Sequence, residues 1–155
     1  MFSVFKRKSP QHVDVYKEVI SQEYHGIDHR NLSDGSLKVI EVLQHAGYEA
    51  YLVGGGIRDL LLRKHPKDFD VATNAKPVEV QKLFKRSRLI GRRFQIVHVR
   101  IGAEIIEVTT FRGSTSNSKL RRANASGMLI RDNVFGSVED DAVRRDFTTN
   151  ALYYD

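Results

Sequence analysis

Asp68 and Asp70, two aspartates one residue apart, are the side chains in this sequence whose type and spacing most readily suggest chemistry. On a β-strand the period of two would point both carboxylates to one face and Phe69 and Val71 to the other. Aspartate is a poor strand former and close carboxylates repel, a conflict that a divalent cation between them would relieve. The plain alternative is an exposed amphipathic strand with solvated acids. A second feature lies just upstream, where Gly54, Gly55 and Gly56 precede Ile57 and Arg58. Three glycines let the backbone turn tightly, and Ile57, Leu60 and Leu61 fall at helical spacing, so a helix opens at the turn. Its start would offer an anion unpaired N–H groups and the positive end of the helix dipole. Arg58, in the first turn and off the apolar stripe, has a guanidinium suited to gripping a phosphate in two-pronged fashion. Neither GxxxxGK[ST] nor GxGxxG is present, which excludes a Walker A loop and a dinucleotide fingerprint.

These groups need a frame, and the surrounding sequence supplies one. Tyr51, Leu52 and Val53 read as the strand that feeds the glycine turn. Before it, Leu37, Ile40, Val42, Leu43 and Ala46 recur at helical spacing over Ser33 to Ala46, and Gly47 provides the stop. After Asp70, Pro77 opens a helix with Val78, Val80, Leu83 and Phe84 as its buried stripe. Gln95 to Ile101 and Glu104 to Thr110 alternate as strands. On the second, Glu107 shares a face with Ile105 and Thr109, and pairing with the Asp68–Asp70 segment would add a third carboxylate; alone, Glu107 reads as a surface acid. Ser137 to Tyr154 reads as an N-capped helix with Glu139, Asp140 and Asp141 in its first turn and Arg144 and Arg145 towards its end. The element order predicts an α/β (α+β) domain with a mixed sheet of about five strands and helices packed on one side.

Residues 1–30 have no sustained period and are expected to form an extended or mobile arm, leaving 31–155 as the folded domain. Residues 114–127 are polar and aperiodic, the pattern of a long loop. From Gln81 to Arg100 the chain carries seven Lys or Arg and no acid, a basic rim interleaved with apolar residues. The net charge of +6 and a pI near 9.6 suit a polyanionic partner. With 155 residues the chain fits one domain, and with no cysteine it has no disulfide framework or cysteine-based zinc site. No apolar run approaches the roughly 20 residues that span a bilayer, so the expectation is a cytoplasmic protein with no membrane partner.

The stretch YLVGGGIRDLLLRKHPKDFD, Tyr51 to Asp70, resembles the signature of the tRNA nucleotidyltransferase and poly(A) polymerase family, within the DNA polymerase β-like superfamily. Two further stretches strengthen the resemblance. Leu89 to Val99, LIGRRFQIVHV, is similar to the pattern that separates bacterial poly(A) polymerases from CCA-adding enzymes, and Arg144 to Ala151, RRDFTTNA, is similar to a second nucleotide-binding motif. The resemblance implies a polymerase β-type catalytic head that transfers AMP from ATP to RNA 3′ ends. It implies Asp68, Asp70 and Glu107 as ligands of two Mg²⁺ ions. It also implies Gly54, Gly55, Arg58 and Arg145 at the triphosphate, Asp146 and Asn150 at the sugar, and Arg92 and Arg93 at the RNA. CCA addition to tRNA is the near alternative, and a basic RNA-binding module with a non-catalytic nucleotide pocket is the alternative of another class. The neck and body domains of the family are not recognisable in these residues, so little polymerisation is expected from the chain alone. Two positions depart from the family pattern: Thr149 stands where isoleucine is usual, and Arg63 where the helix commonly ends in glycine.

Overall fold

The computed structural model describes residues 2–8, 14–91, 94–113 and 134–155. Arg92, Arg93 and the expected loop at 114–127 lie outside the described residues. The chain runs through strands β1 (Phe2–Lys8) and β2 (Asp14–Ile20), a short helix α1 (Gln22–His25), helix α2 (Asp34–His45), β3 (Ala50–Val53) and α3 (Gly55–Leu61). It continues through β4 (Asp70–Thr73), α4 (Pro77–Leu83), β5 (Ser87–Ile90), β6 (Ile96–Ile101), β7 (Glu104–Thr110), α5 (Val138–Val143) and β8 (Leu152–Tyr154).

All eight strands join one sheet in the order β2-β1-β8-β3-β4-β7-β6-β5. The sheet is mixed: β4 and β7 run parallel, and the other neighbours are antiparallel. It is wider than the expected five strands because β1, β2 and β8 extend it. Residues 2–8 and 14–20, read from sequence as part of an arm, pair as a hairpin whose first strand adds to β8. Backbone pairing with an existing edge satisfies their N–H and C=O groups without any strict polar alternation, which Lys6-Arg7-Lys8 interrupts.

The two faces of the sheet are unequal. Leu52, Val71, Val97, Val99, Ile106, Val108 and Leu152 point to one side and meet Val39, Ile40 and Leu43 of α2, Ile57 and Leu60 of α3 and Val80 of α4. Ser33 starts α2 as expected, its hydroxyl accepting from the Ser36 N–H at 3.1 Å. On α4, Val80 and Phe84 are buried but Val78 is 59% exposed, so the stripe is narrower than its spacing suggested. On the opposite side Val53, Ala72, Phe111, Ala151 and Tyr153 form a smaller cluster with Val138 and Ala142 of α5. Helices thus cover the main face, and among the described residues α5 covers part of the other.

The tail departs from its reading as one helix. Ser137 and Asp140 form a reciprocal cap, with Ser137 N–H to Asp140 Oδ2 at 3.0 Å and Asp140 N–H to Ser137 Oγ at 3.2 Å. The helix then ends at Val143, a 3-10 turn follows at Thr148–Asn150, and Leu152–Tyr154 becomes the strand between β1 and β3. The end charges obey helix-dipole rules whatever the helix length, so they could not indicate where it stops. β-Branched Thr148 and Thr149 and the paired tyrosines 153 and 154 favour leaving it.

Candidate functional site

The face of the sheet opposite the main core carries the acids, and strand register gathers them. Asp70 opens β4, where it pairs with Val53 on one side and, in parallel register, with Glu107 of β7 on the other. Alternation sends Val71 and Val108 into the main core and leaves Asp70 and Glu107 on the outer face. Asp68 and Phe69 precede the strand instead of belonging to it, which corrects the reading of Asp68-Phe69-Asp70 as one strand. On one side the neighbour runs out: β3 ends at Val53 and Gly54 turns away, which leaves Phe69 and Asp68 without a partner from β3.

That turn requires glycine. Gly54 has φ +73° and ψ −142°, a conformation a side chain would strain. A Cβ there would meet Arg145 Nη1 at 3.8 Å and Asp70 Oδ2 at 3.9 Å, so the glycine backbone lies between a guanidinium and a carboxylate. α3 begins at the next residue, as the sequence predicted. The Arg58 side chain folds back towards the turn, with Nη2 3.4 Å from where a Gly55 Cβ would stand, while its Nε and Nη2 donate to Asp59 Oδ1 at 2.9 and 2.8 Å. A cleft of about 400 Å³ opens here, lined by Gly55, Gly56, Arg58, Lys64, Lys67, Asp68 and Asp70. Cationic groups and a helix start therefore face the two aspartates across one cavity.

Arg63 closes α3 in the left-handed region at φ +58°, the position where the resembling family usually has glycine. Its Nη1 donates to the Gly26 carbonyl at 2.9 Å, a tie to the α1 turn that offsets the backbone strain.

Arg145 reaches the site from the segment after α5, and a residue the sequence reading did not single out holds it there. Asp141, 4% exposed, accepts from Arg145 Nη2 at 3.0 Å and Nε at 3.2 Å through Oδ2. The Tyr153 hydroxyl donates to the same oxygen at 2.7 Å and accepts from Arg145 Nε at 3.0 Å. Oδ1 accepts from the Arg112 N–H at 3.1 Å. Burial pushes the Tyr153 phenol well above its ordinary range, so it remains a donor to Asp141. Arg145 Nη1 donates to the Asn150 carbonyl at 3.1 Å and points towards Gly54. Asp141 and Arg145 stand at i, i+4, a spacing that signals such a pair, although the helix-dipole account of the three acids conceals it. Asp146 and Asn150 lie beside this network, Asp146 Oδ1 accepting from the Phe147 N–H at 2.9 Å and from Asn150 Nδ2 at 3.5 Å.

The acids are poised against one another. Burial holds the Asp70 carboxyl above its ordinary value of 3.8, and the Glu107 and Asp68 carboxylates raise it further, against a smaller opposing pull from Arg145. Three carboxylates in mutual repulsion are the hard oxygen donor set that a divalent cation takes. Among the described residues no three His, Asp or Glu side chains already converge as a metal cage. Glu107 Oε1 instead pairs with His98 Nε2 of β6 at 3.2 Å. Chemically, Asp70, its in-register neighbour Glu107 and nearby Asp68 are the oxygen donors such an ion would take.

Among the described residues no helix is long and apolar enough to cross a membrane. A family model described as "Poly A polymerase head domain" matches residues 50–155. Poly(A) polymerase I of Salmonella typhi is 58% identical over 140 residues, 88% of this chain and 30% of that protein. Poly(A) polymerase I of Haemophilus influenzae is 53% identical over 152 residues, 96% of this chain and 34% of that protein. The chain thus spans about a third of the length of these curated relatives. Among solved structures, the Bacillus stearothermophilus CCA-adding enzyme in complex with CTP superposes with a TM-score of 0.60 at 37% identity, covering 77% of this chain and 26% of that one.

Proposed function

The chain belongs to the Poly A polymerase head domain family, and on that premise we propose that it is the catalytic head of a template-independent nucleotidyltransferase of the cytoplasm, adding AMP from ATP to RNA 3′ ends. The terminal 3′-oxygen forms a bond to the α-phosphorus, the bond from that phosphorus to the bridging oxygen breaks, and pyrophosphate leaves. The observation that carries the reading is the register match of Asp70 with Glu107 beside the Gly54 turn and Arg145.

Two magnesium ions, when bound by Asp68, Asp70 and Glu107, would lower the pKa of the attacking hydroxyl and neutralise charge on the triphosphate. The rest falls to the chain's own groups. The glycine turn lets Gly54 and Gly55 bring backbone close to phosphate, and Arg58 and Arg145 face it with charge-assisted donors. Asp141 and Tyr153 fix the Arg145 fork before the nucleotide arrives, so little ordering cost remains on binding. Asp146 and Asn150, next to Arg145, are the groups proposed to contact the sugar, and Arg92 and Arg93 the RNA. The described residues from 31 onward act in this reading as one catalytic unit.

Calorimetric titration of the chain with magnesium-ATP and with adenosine tests this. Arg58→Ala and Arg145→Ala should each weaken ATP by about 1.5–3 kcal/mol, the worth of a charge-assisted hydrogen bond, and leave adenosine nearly unaffected. Equal losses for both ligands would refute the phosphate role. Sequencing the RNA products of the complete enzyme on tRNA and on unstructured RNA distinguishes adenylate addition from CCA addition, which uses the same chemistry and gives the structural relative, a CCA-adding enzyme, its name.

A further inference from the structure

A row of side chains leads away from the acids across the sheet. Asp70 of β4 pairs with Glu107 of β7, Glu107 with His98 of β6, and His98 with Arg88 of β5. Directly paired residues point to the same face, so four adjacent strands present acid, acid, imidazole and guanidinium in line on the outer side of the sheet. At the strand spacing, Arg88 stands about 10 Å from Glu107. Arg100, two residues after His98, shares that face, and its backbone N–H donates to the Arg86 carbonyl at 2.9 Å. Around them lies a cleft of about 640 Å³, lined by Lys85, Arg86, Arg88, His98 and Arg100, with Ile90 and Ile105 as its apolar floor. Ile105 is 59% exposed. Among the described residues no carboxylate pairs with Lys85, Arg86, Arg88 or Arg100.

Four cations with no carboxylate partner among the described residues surround the exposed Ile105 and the half-buried Ile90, in line with the acids, and suit a partner that is anionic, partly apolar and able to end at Glu107. A single RNA strand has this chemistry: phosphates for the cations, base or ribose faces for the isoleucines, and a terminal hydroxyl for the acids. We propose that the β5–β6 cleft is the path of the acceptor strand, with Arg88 and Arg100 gripping backbone phosphates of its last nucleotides. His98 stands at the junction and holds Glu107 while the path is empty. The proposal rests on the activity inferred above and adds to it where the second substrate lies.

The test measures binding of the chain to a labelled single-stranded oligoadenylate over a range of salt, alongside magnesium-ATP titration. Arg88→Ala/Arg100→Ala should flatten the slope of log affinity against log salt by about 1.4, the value for two single-strand phosphate contacts. Arg88→Lys/Arg100→Lys should restore the slope, and Lys38→Ala, on α2 across the main core, should not change it. ATP affinity and melting temperature of the alanine pair should match the parent. An unchanged slope, or a parent chain without salt-dependent RNA binding, overturns the proposal. So does a parallel loss of ATP, which would assign both arginines to the triphosphate, or equal competition by polyglutamate, which would assign the cleft to an acidic protein. Loss of RNA binding in a chain that never bound ATP would refute the nucleotidyltransferase reading and leave the RNA path standing.

Discussion

Replacing Asp141 by asparagine keeps the shape of the side chain and removes its charge, and the structure dictates an unusually large penalty for so small a change. Both carboxylate oxygens face donors only. Oδ2 receives two Arg145 nitrogens and the Tyr153 hydroxyl, and Oδ1 receives the Arg112 N–H. An asparagine amide has one acceptor and one donor end, so either orientation sets N–H against N–H at a residue 4% exposed. Arg145 is also left with no buried counter-charge, although its side chain is 21% exposed and water can compensate part of that loss. Losing one or two charge-assisted bonds and stranding a donor costs about 3 kcal/mol. For a domain of this size the melting temperature should fall by roughly 6–12 °C. The assay is thermal unfolding followed by circular dichroism at neutral pH, with Glu139→Gln in the same helix turn as the exposed control. The freed Arg145 should also lose pre-organisation, so magnesium-ATP affinity should fall in the folded variant while adenosine affinity holds. A variant melting within about 2 °C of the parent would refute the claim that Asp141 is a buried hub.

Asp70→Asn should raise the melting temperature of the metal-free protein at neutral pH. Because the folded pKa of Asp70 lies above 3.8, the folded state binds the proton more tightly than the unfolded one, so its ionisation weakens folding as pH rises from 3.8 through the folded value. The same scans should show magnesium stabilising the parent and not the variant; equal melting temperatures without metal would remove the repulsion argument. Gly54→Ala should destabilise by about 1–3 kcal/mol through backbone strain alone, since its new methyl meets only ordinary contacts, and denaturant unfolding that finds no loss would contradict the positive φ. Arg63→Ala should cost about 1 kcal/mol by dropping the bond to Gly26 while keeping the strain, and Arg63→Gly should recover much of it. Urea midpoints ranking alanine at or above both glycine and arginine would reject that account.

What the sequence made legible was local: the glycine turn, the helix that follows it and the cap of α2 rest on neighbours in the chain. Alternation also told which face Glu107 takes, but not that Asp70 is its partner. Period two fixes a side and leaves register open, and here β5 and β6 intervene before β7 returns parallel to β4. Asp68 was misread as a strand residue because the end of β4 is set by the end of β3, a fact of another segment. β1 and β2 carry too many charges to announce themselves and exist through the edge they complete. Asp141 was invisible for a different reason: a sufficient surface explanation existed for its charge, and only tertiary packing turned it inward.

The position of β8 has a consequence for how the molecule is made. Residues 152–154 lie between β1 and β3, and they alone link the β1–β2 hairpin to the rest of the sheet. On a ribosome, about a hundred residues separate the release of β3 from that of β8, which at roughly 5–20 residues per second is some 5–20 s of synthesis. Throughout that interval both β1 and β3 have an open edge. β3 already has β4 on its other side and the helices beneath it, whereas β1 and β2 have only each other, and an isolated hairpin is marginal in water. Until β8 arrives the β1–β2 hairpin is therefore a waiting template for strand addition, and its basic Lys6-Arg7-Lys8 run is well suited to discourage wrong pairing.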